Sequence, residues 1–129
     1  MSKTKEAVEK SRSDMRKTDT VVDVAIVVSE MEEIKRLHRE KSITVLPYRY
    51  TNLRKSLISI RSSNETLDDA DKRVIQSVIS FFSVLERDID AKIKNDNHDI
   101  DFPKINNLIS DHSDKLQEVL INKKNNIGA

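Results

Sequence analysis

Cysteine is absent from this chain of 129 residues, and glycine occurs once, at Gly128. Without cysteine there can be no disulfide, no thiolate nucleophile and no cysteine-ligated zinc site. That composition fits the cytosol, and a cytoplasmic protein is the expectation. One glycine and two prolines, Pro47 and Pro103, argue against a turn-rich β fold. They also exclude glycine-rich phosphate loops, because neither the dinucleotide fingerprint nor the P-loop can be built without internal glycines. Tryptophan is absent and aromatics make up only 4% of the chain, so any core rests on Ile, Leu and Val. The longest uninterrupted apolar run, Val24 to Val28, is far short of a membrane span. The residues Met1 to Glu6 contain no apolar core like that of a signal peptide.

What the chain does have is helical period. From Leu67 to Ile93 there is no glycine or proline, and apolar residues fall at Leu67, Val74, Val78, Phe81, Leu85 and Ile89. A second row, Ile75, Ile79, Phe82, Ile89 and Ile93, lies beside the first. Steps of three and four predict a helix of roughly 40 Å with a face wide enough to meet more than one neighbour. Thr66 and Asp69 have capping-box spacing, with Asp in place of Glu or Gln, and Asp68, Asp69 and Asp71 load the first turn with negative charge. The polar run Asn95 to Asp99 stops the helix.

The other segments fall in place around this one. Residues 1–18 are polar, with only Ala7, Val8 and Met15 apolar after Met1, and read as a frayed helix or a disordered arm. Val21, Val24, Val28, Met31, Ile34 and His38 follow helical spacing despite the β-branched residues before Ser29. Asp19 or Thr20 is the expected cap, unless this helix runs straight back into the arm. Leu46 precedes a proline, which predicts a short extended connection and a helix opening near Pro47. Leu53, Leu57, Ile58 and Ile60 carry that helix to Ser62, and Ser63 to Thr66 connect it to the next. Pro103 opens the last helix, with a stripe of Ile105, Leu108, Ile109, His112, Leu116, Val119 and Leu120 and with Lys123 and Lys124 at its end. The expectation is all-α: a small up-and-down bundle of about four helices over residues 19–124, with a polar N-terminal arm and a tail at 125–129.

No pattern here carries catalysis. The run Asn95 to Asp101 alternates oxygen-bearing residues like the start of a calcium loop, but it lacks the glycine, and Asn106 stands at the twelfth position in place of Glu. It reads as a polar turn, with Asp99 or Asp101 capping the last helix. His38, His98 and His112 lie on three separate segments without zinc spacing, and His112, inside an apolar stripe, calls for a hydrogen-bond partner. The carboxylate pairs Asp68/Asp71 and Glu86/Asp90 read as a solvated helix face, which does no acid–base work. No enzyme, metal or cofactor is expected.

Charge is unevenly spread instead. Residues 35–61 hold eight bases against one acid, a net +7, while residues 63–101 hold ten acids against five bases, a net −5. Lys35, Arg36, Arg39, Tyr48, Arg49, Tyr50, Arg54 and Lys55 form the candidate binding surface. Basic side chains interleaved with tyrosines suit nucleic acid, since cations meet phosphates and rings stack on bases. A solvated basic face, with the tyrosines packed at a bundle end, explains the same residues, as does docking of the basic face on an acidic one in a dimer. The leading expectation is a non-catalytic protein-interaction module, such as an adaptor, chaperone or regulator, that self-associates through long apolar or coiled-coil helices. A nucleic-acid-binding accessory protein using residues 35–61 is the alternative.

Overall fold

The computed structural model describes residues 2–63 and 67–126, which form four α-helices and one 3-10 turn and contain no strand. The helices are α1 (Ser2–Arg39), α2 (Leu46–Ser63), α3 (Asp69–Lys94) and α4 (Phe102–Asn126), with the 3-10 turn at Ile43–Val45. They form an up-and-down bundle in which α1 packs chiefly on α4, and α2 on α3. Side-chain bonds give the direction: Lys35 of α1 reaches Ser110 early in α4, and Arg54 of α2 reaches Glu86 late in α3.

Each helix contributes one stripe to the core. The two apolar rows read for α3 bury Leu67, Ile75, Val78, Ile79, Phe82, Leu85 and Ile89, with Val74, Phe81 and Ile93 half-buried beside them. On α1 the buried row is Val24, Val27, Met31, Ile34 and Leu37, so the β-branched stretch is helix, held there by burial. On α2 it is Leu46, Tyr50, Leu53, Leu57 and Ile60, and on α4 it is Phe102, Ile109, Leu116 and Val119.

The helix ends use side chains and strained backbone where a glycine-richer chain would use glycine. Asp68, not Thr66, caps α3: its carboxylate accepts from the Asp71 N–H at 2.8 Å, and the Asp71 carboxylate accepts from the Asp68 N–H at 3.3 Å. The capping box is therefore Asp68 to Asp71, and Thr66 lies outside the described residues. Asp101 caps α4 by accepting from the Lys104 N–H, with Pro103 in the first turn, where its missing N–H leaves no helical bond unmade. At the other ends, Lys41 (φ 56°) and Asp96 (φ 51°) adopt the left-handed conformation. Around Lys41 the Ser42 and Lys41 N–H groups return to Leu37 and His38 carbonyls, and around Asp96 the Asn97 and Asp96 N–H groups return to Lys92 and Ile93. Both are Schellman closures made with a non-glycine residue at the position that favours glycine.

Two local expectations change. Leu46 is not extended: it adopts φ −62°, ψ −47° and is buried, because the turn at Ile43–Val45 feeds directly into α2 and the core claims the side chain against its pre-proline preference. The helix through Thr20 does run back into the arm, so no cap interrupts α1 at Asp19 or Thr20. Since α4 runs sixteen residues on from Ser110 to Asn126, it ends beside the level of Asp19, sixteen residues back from Lys35. The segment of α1 before that level reaches about 26 Å past the end of α4. Of the expected tail, Ile127 to Ala129 lie outside the described residues, as do Asn64 to Thr66 of the connection before α3.

Candidate interaction surface

The basic segment does not present a free field of cations. Arg36 bonds to Glu33 and, at 2.6 Å, to Glu40, one helical turn away on either side. Lys35 holds Glu32 at 3.1 Å and the Ser110 hydroxyl at 2.9 Å. Arg49 faces Glu30 at 3.6 Å, and Arg54 is tied to Glu86 at 2.9 Å. Glu86 also accepts from the Thr51 hydroxyl, so it belongs to the α2–α3 seam and not to a solvated face. The Arg36 guanidinium holds the Glu33 carboxyl below its ordinary range. Arg39, Lys41 and Lys55 are exposed and form no ion pair with any described residue.

The two tyrosines part company. Tyr48 is 69% exposed, whereas Tyr50 is fully buried and unavailable to a base. Its phenol lies 2.5 Å from His38 Nε2, and His38 Nδ1 lies 2.6 Å from Asn106 Oδ1. Asn106 Nδ2 donates to the Lys35 carbonyl at 3.1 Å. An amide oxygen can only accept, so His38 carries its proton on Nδ1 and accepts the Tyr50 hydroxyl proton at Nε2. The relay satisfies every member and links α2, α1 and α4. Burial depresses the His38 pKa, opposed by the bond to Asn106, and burial raises that of Tyr50. Phe102 stacks on the His38 ring at 4.9 Å.

A second polar link sits at the opposite end of the bundle. Lys123, read from sequence as a cation at the end of the last helix, is 8% exposed and holds Asp71 at 2.9 Å. Asp71 is 5% exposed, which removes it from any solvated face, while Asp68 stays exposed. Asp68 itself has its pKa lowered, first by the Asp71 N–H it accepts from.

The remaining candidates stay simple. His112 leans on Phe81 with centroids 4.6 Å apart, and its Nδ1 has no hydrogen-bond partner among the described residues, contrary to expectation. Its pKa is lowered by burial and by Lys115, with Asp111 opposing. In the Asn95 to Asp101 run, Asn97 accepts from the Asp99 N–H and Asp96 pairs with His98, which is turn chemistry. Among the described residues no three His, Asp or Glu side chains are grouped to hold a metal. Several clefts open on the surface among the described residues. One of 480 Å³ between α3 and α4 is lined by Phe81, Val84, Ile89, Ile105 and Leu108, and one of 690 Å³ between α1 and α4 is lined by Lys35, His38, Arg39, Lys41 and Asn106.

Both surprises had a signal in the sequence. Tyr50 completes the row Leu46, Tyr50, Leu53, Leu57 and Ile60, stepping by four and three, while Tyr48 falls off it. Glu33 and Glu40 stand three and four residues from Arg36, the spacing of intrahelical ion pairs. No family model matches the chain, and neither curated proteins nor solved structures yield a match. No described helix is long and apolar enough to cross a membrane.

Proposed function

We propose that this protein is a non-catalytic helical interaction module that works by self-association. The observation that carries this reading is the extension of α1. Ala7 to Arg12, Met15 and Asp19 are all exposed, on a helix that continues past the end of α4. An isolated helix of that length is marginal in water, and it gains stability by laying a face on a partner. The pairing within the basic segment supports the same choice. Arg36, Arg49 and Arg54 already meet carboxylates and Tyr50 is in the core, which leaves few groups to neutralise phosphates or stack on bases.

The test is mass by light scattering over a range of protein concentration, with and without a generic single-stranded nucleic acid. The expected result is a mass above the 14.9 kDa of one chain, rising with concentration and indifferent to nucleic acid. A nucleic-acid binder would instead show saturable binding whose log affinity falls with log salt at a slope near −3 to −5 for about four to six phosphate contacts. Replacing Arg49, Arg54 and Lys55 by Ala would then flatten that slope by about two to three units. Such binding, together with a mass that stays at one chain, would overturn the proposal.

A further inference from the structure

The outer face of α1 carries an apolar row that no other described element of the chain covers. Val8 is 45% exposed, Met15 62%, Val22 51% and Ile26 55%. Val8, Met15 and Val22 are spaced by seven, the repeat that keeps a seam on one side of a helix when two helices supercoil. The core row Thr20, Val24, Val27 and Met31 points the other way, so this seam faces solvent along both the extension and the bundled part of α1. Three residues on from Val8 and from Val22, along one edge of the seam, stand small residues, Ser11 and Ala25. On the flank stand Arg12 and Asp19, opposite charges one heptad apart, both exposed.

We infer that a second copy of this chain covers the row, with the two α1 helices antiparallel. The inference rests on the self-association proposed above and names its surface. Charge and size both fix the direction. Set Val8 against Ala25 of the second copy, and Ser11 falls against its Val22, so each larger residue meets a small one. The same register brings Arg12 beside the second copy's Asp19, and by symmetry Asp19 beside its Arg12. In a parallel pair, aligned residue for residue, Arg12 would face Ala7 and the complementarity is lost. The antiparallel overlap runs from about residue 7 to residue 26, about 28 Å of helix. It leaves the two bundles at opposite ends, each with its core on the side away from the seam, so they do not collide.

Charge reversal on the full-length chain tests this. Arg12→Asp alone sets the introduced carboxylate against Asp19 of the second copy twice over, and Asp19→Arg alone sets two arginine pairs together. Each variant should lose dimer affinity by about tenfold or more, with melting behaviour unchanged at concentrations where both are monomeric. Mixing the two variants should restore dimers, because every cross-pair then sets a carboxylate against a guanidinium. Met15→Glu, at the middle of the seam, should dissociate wild-type dimers. A wild type that stays monomeric would overturn both this inference and the self-association it rests on. A dimer indifferent to Met15→Glu and to both reversals would overturn the seam alone. Loss in the single variants without rescue on mixing would overturn the antiparallel register.

Discussion

Replacing Lys123 by Met removes one charge from a buried pair and keeps most of the aliphatic stem. Lys123 and Asp71 are 8% and 5% exposed, and their Nζ–Oδ2 distance is 2.9 Å. Taking away the ammonium leaves a buried carboxylate without its counterion, a change that costs about 3–5 kcal/mol. Two features hold the cost to the lower end, about 3 kcal/mol. Asp71 still accepts the Asp68 N–H, and it lies in the first turn of α3, where the dipole favours negative charge by about 0.3–1 kcal/mol. Adding Asp71→Asn removes the stranded charge and keeps an acceptor for the cap, so the double variant should recover to within about 1 kcal/mol of wild type. Urea unfolding followed by far-UV circular dichroism reads all three, with the slope checked for constancy. Since small domains are stable by only about 5–15 kcal/mol, the single variant's shift is easily resolved. A Lys123→Met midpoint within about 0.5 kcal/mol of wild type would mean that the end of α4 is not docked against the start of α3.

Other perturbations probe the rest of the fold. Leu85→Ala or Phe82→Ala should cost about 2–5 kcal/mol by opening a cavity, while Arg87→Ala, on the exposed face, stays within about 0.5 kcal/mol; equal costs would put α3 on the wrong face. Lys41→Gly should stabilise by about 0.5–1 kcal/mol, because glycine adopts the left-handed closure of α1 without the steric penalty; a lower melting midpoint would refute that geometry. Burial holds His38 and His112 below the ordinary histidine pKa of about 6.5, so the unfolded chain binds more protons below that value and stability is lost as pH falls through it. The melting midpoint should therefore drop as pH falls from about 8 to about 5.5, and His38→Gln should flatten that dependence. Chelation with EDTA should leave the midpoint unmoved, since a structural ion at Asp96, Asp99 and Asp101 would have stabilised the fold by mass action.

What was legible in the sequence is what repeats locally. The rows on α3 and α4 could be read because steps of three and four mark a face whatever it packs against. The helix through Val24 to Val28 could be read for the same reason, although its β-branched residues favour strands. Polar positions turned inward were not legible. Asn106, Ser113 and Lys123 interrupt the apolar stripe of α4, so they resemble its solvent side, yet Asn106 finds His38 across 68 residues and Lys123 finds Asp71. Such partners are set by the antiparallel docking of whole helices, which no local period encodes. The left-handed positions were hidden for a related reason. With no internal glycine to announce them, only the return of N–H groups to carbonyls at Lys41 and Asp96 reveals the closures.

The charge blocks show how a sequence-level asymmetry can be used up inside a fold. Taken along the chain, +7 over residues 35–61 beside −5 over residues 63–101 suggests two faces waiting for partners. Folding brings α2 against α3, and Arg54 meets Glu86 across that seam, with Thr51 bonded to the same carboxylate and Arg61 bonded to Gln76. Glu30, Glu32 and Glu33 of α1, with Glu40 just beyond its end, take up Arg49, Lys35 and Arg36. The exposed pairs among these contribute little to stability, but they position the side chains they join. Beside the exposed Arg39, Lys41 and Lys55, an apolar row on α1 is left uncovered. The part of the chain that read as a polar arm, residues 1–18, carries Val8 and Met15, which continue to Val22 of the bundled part at the spacing of a helix seam.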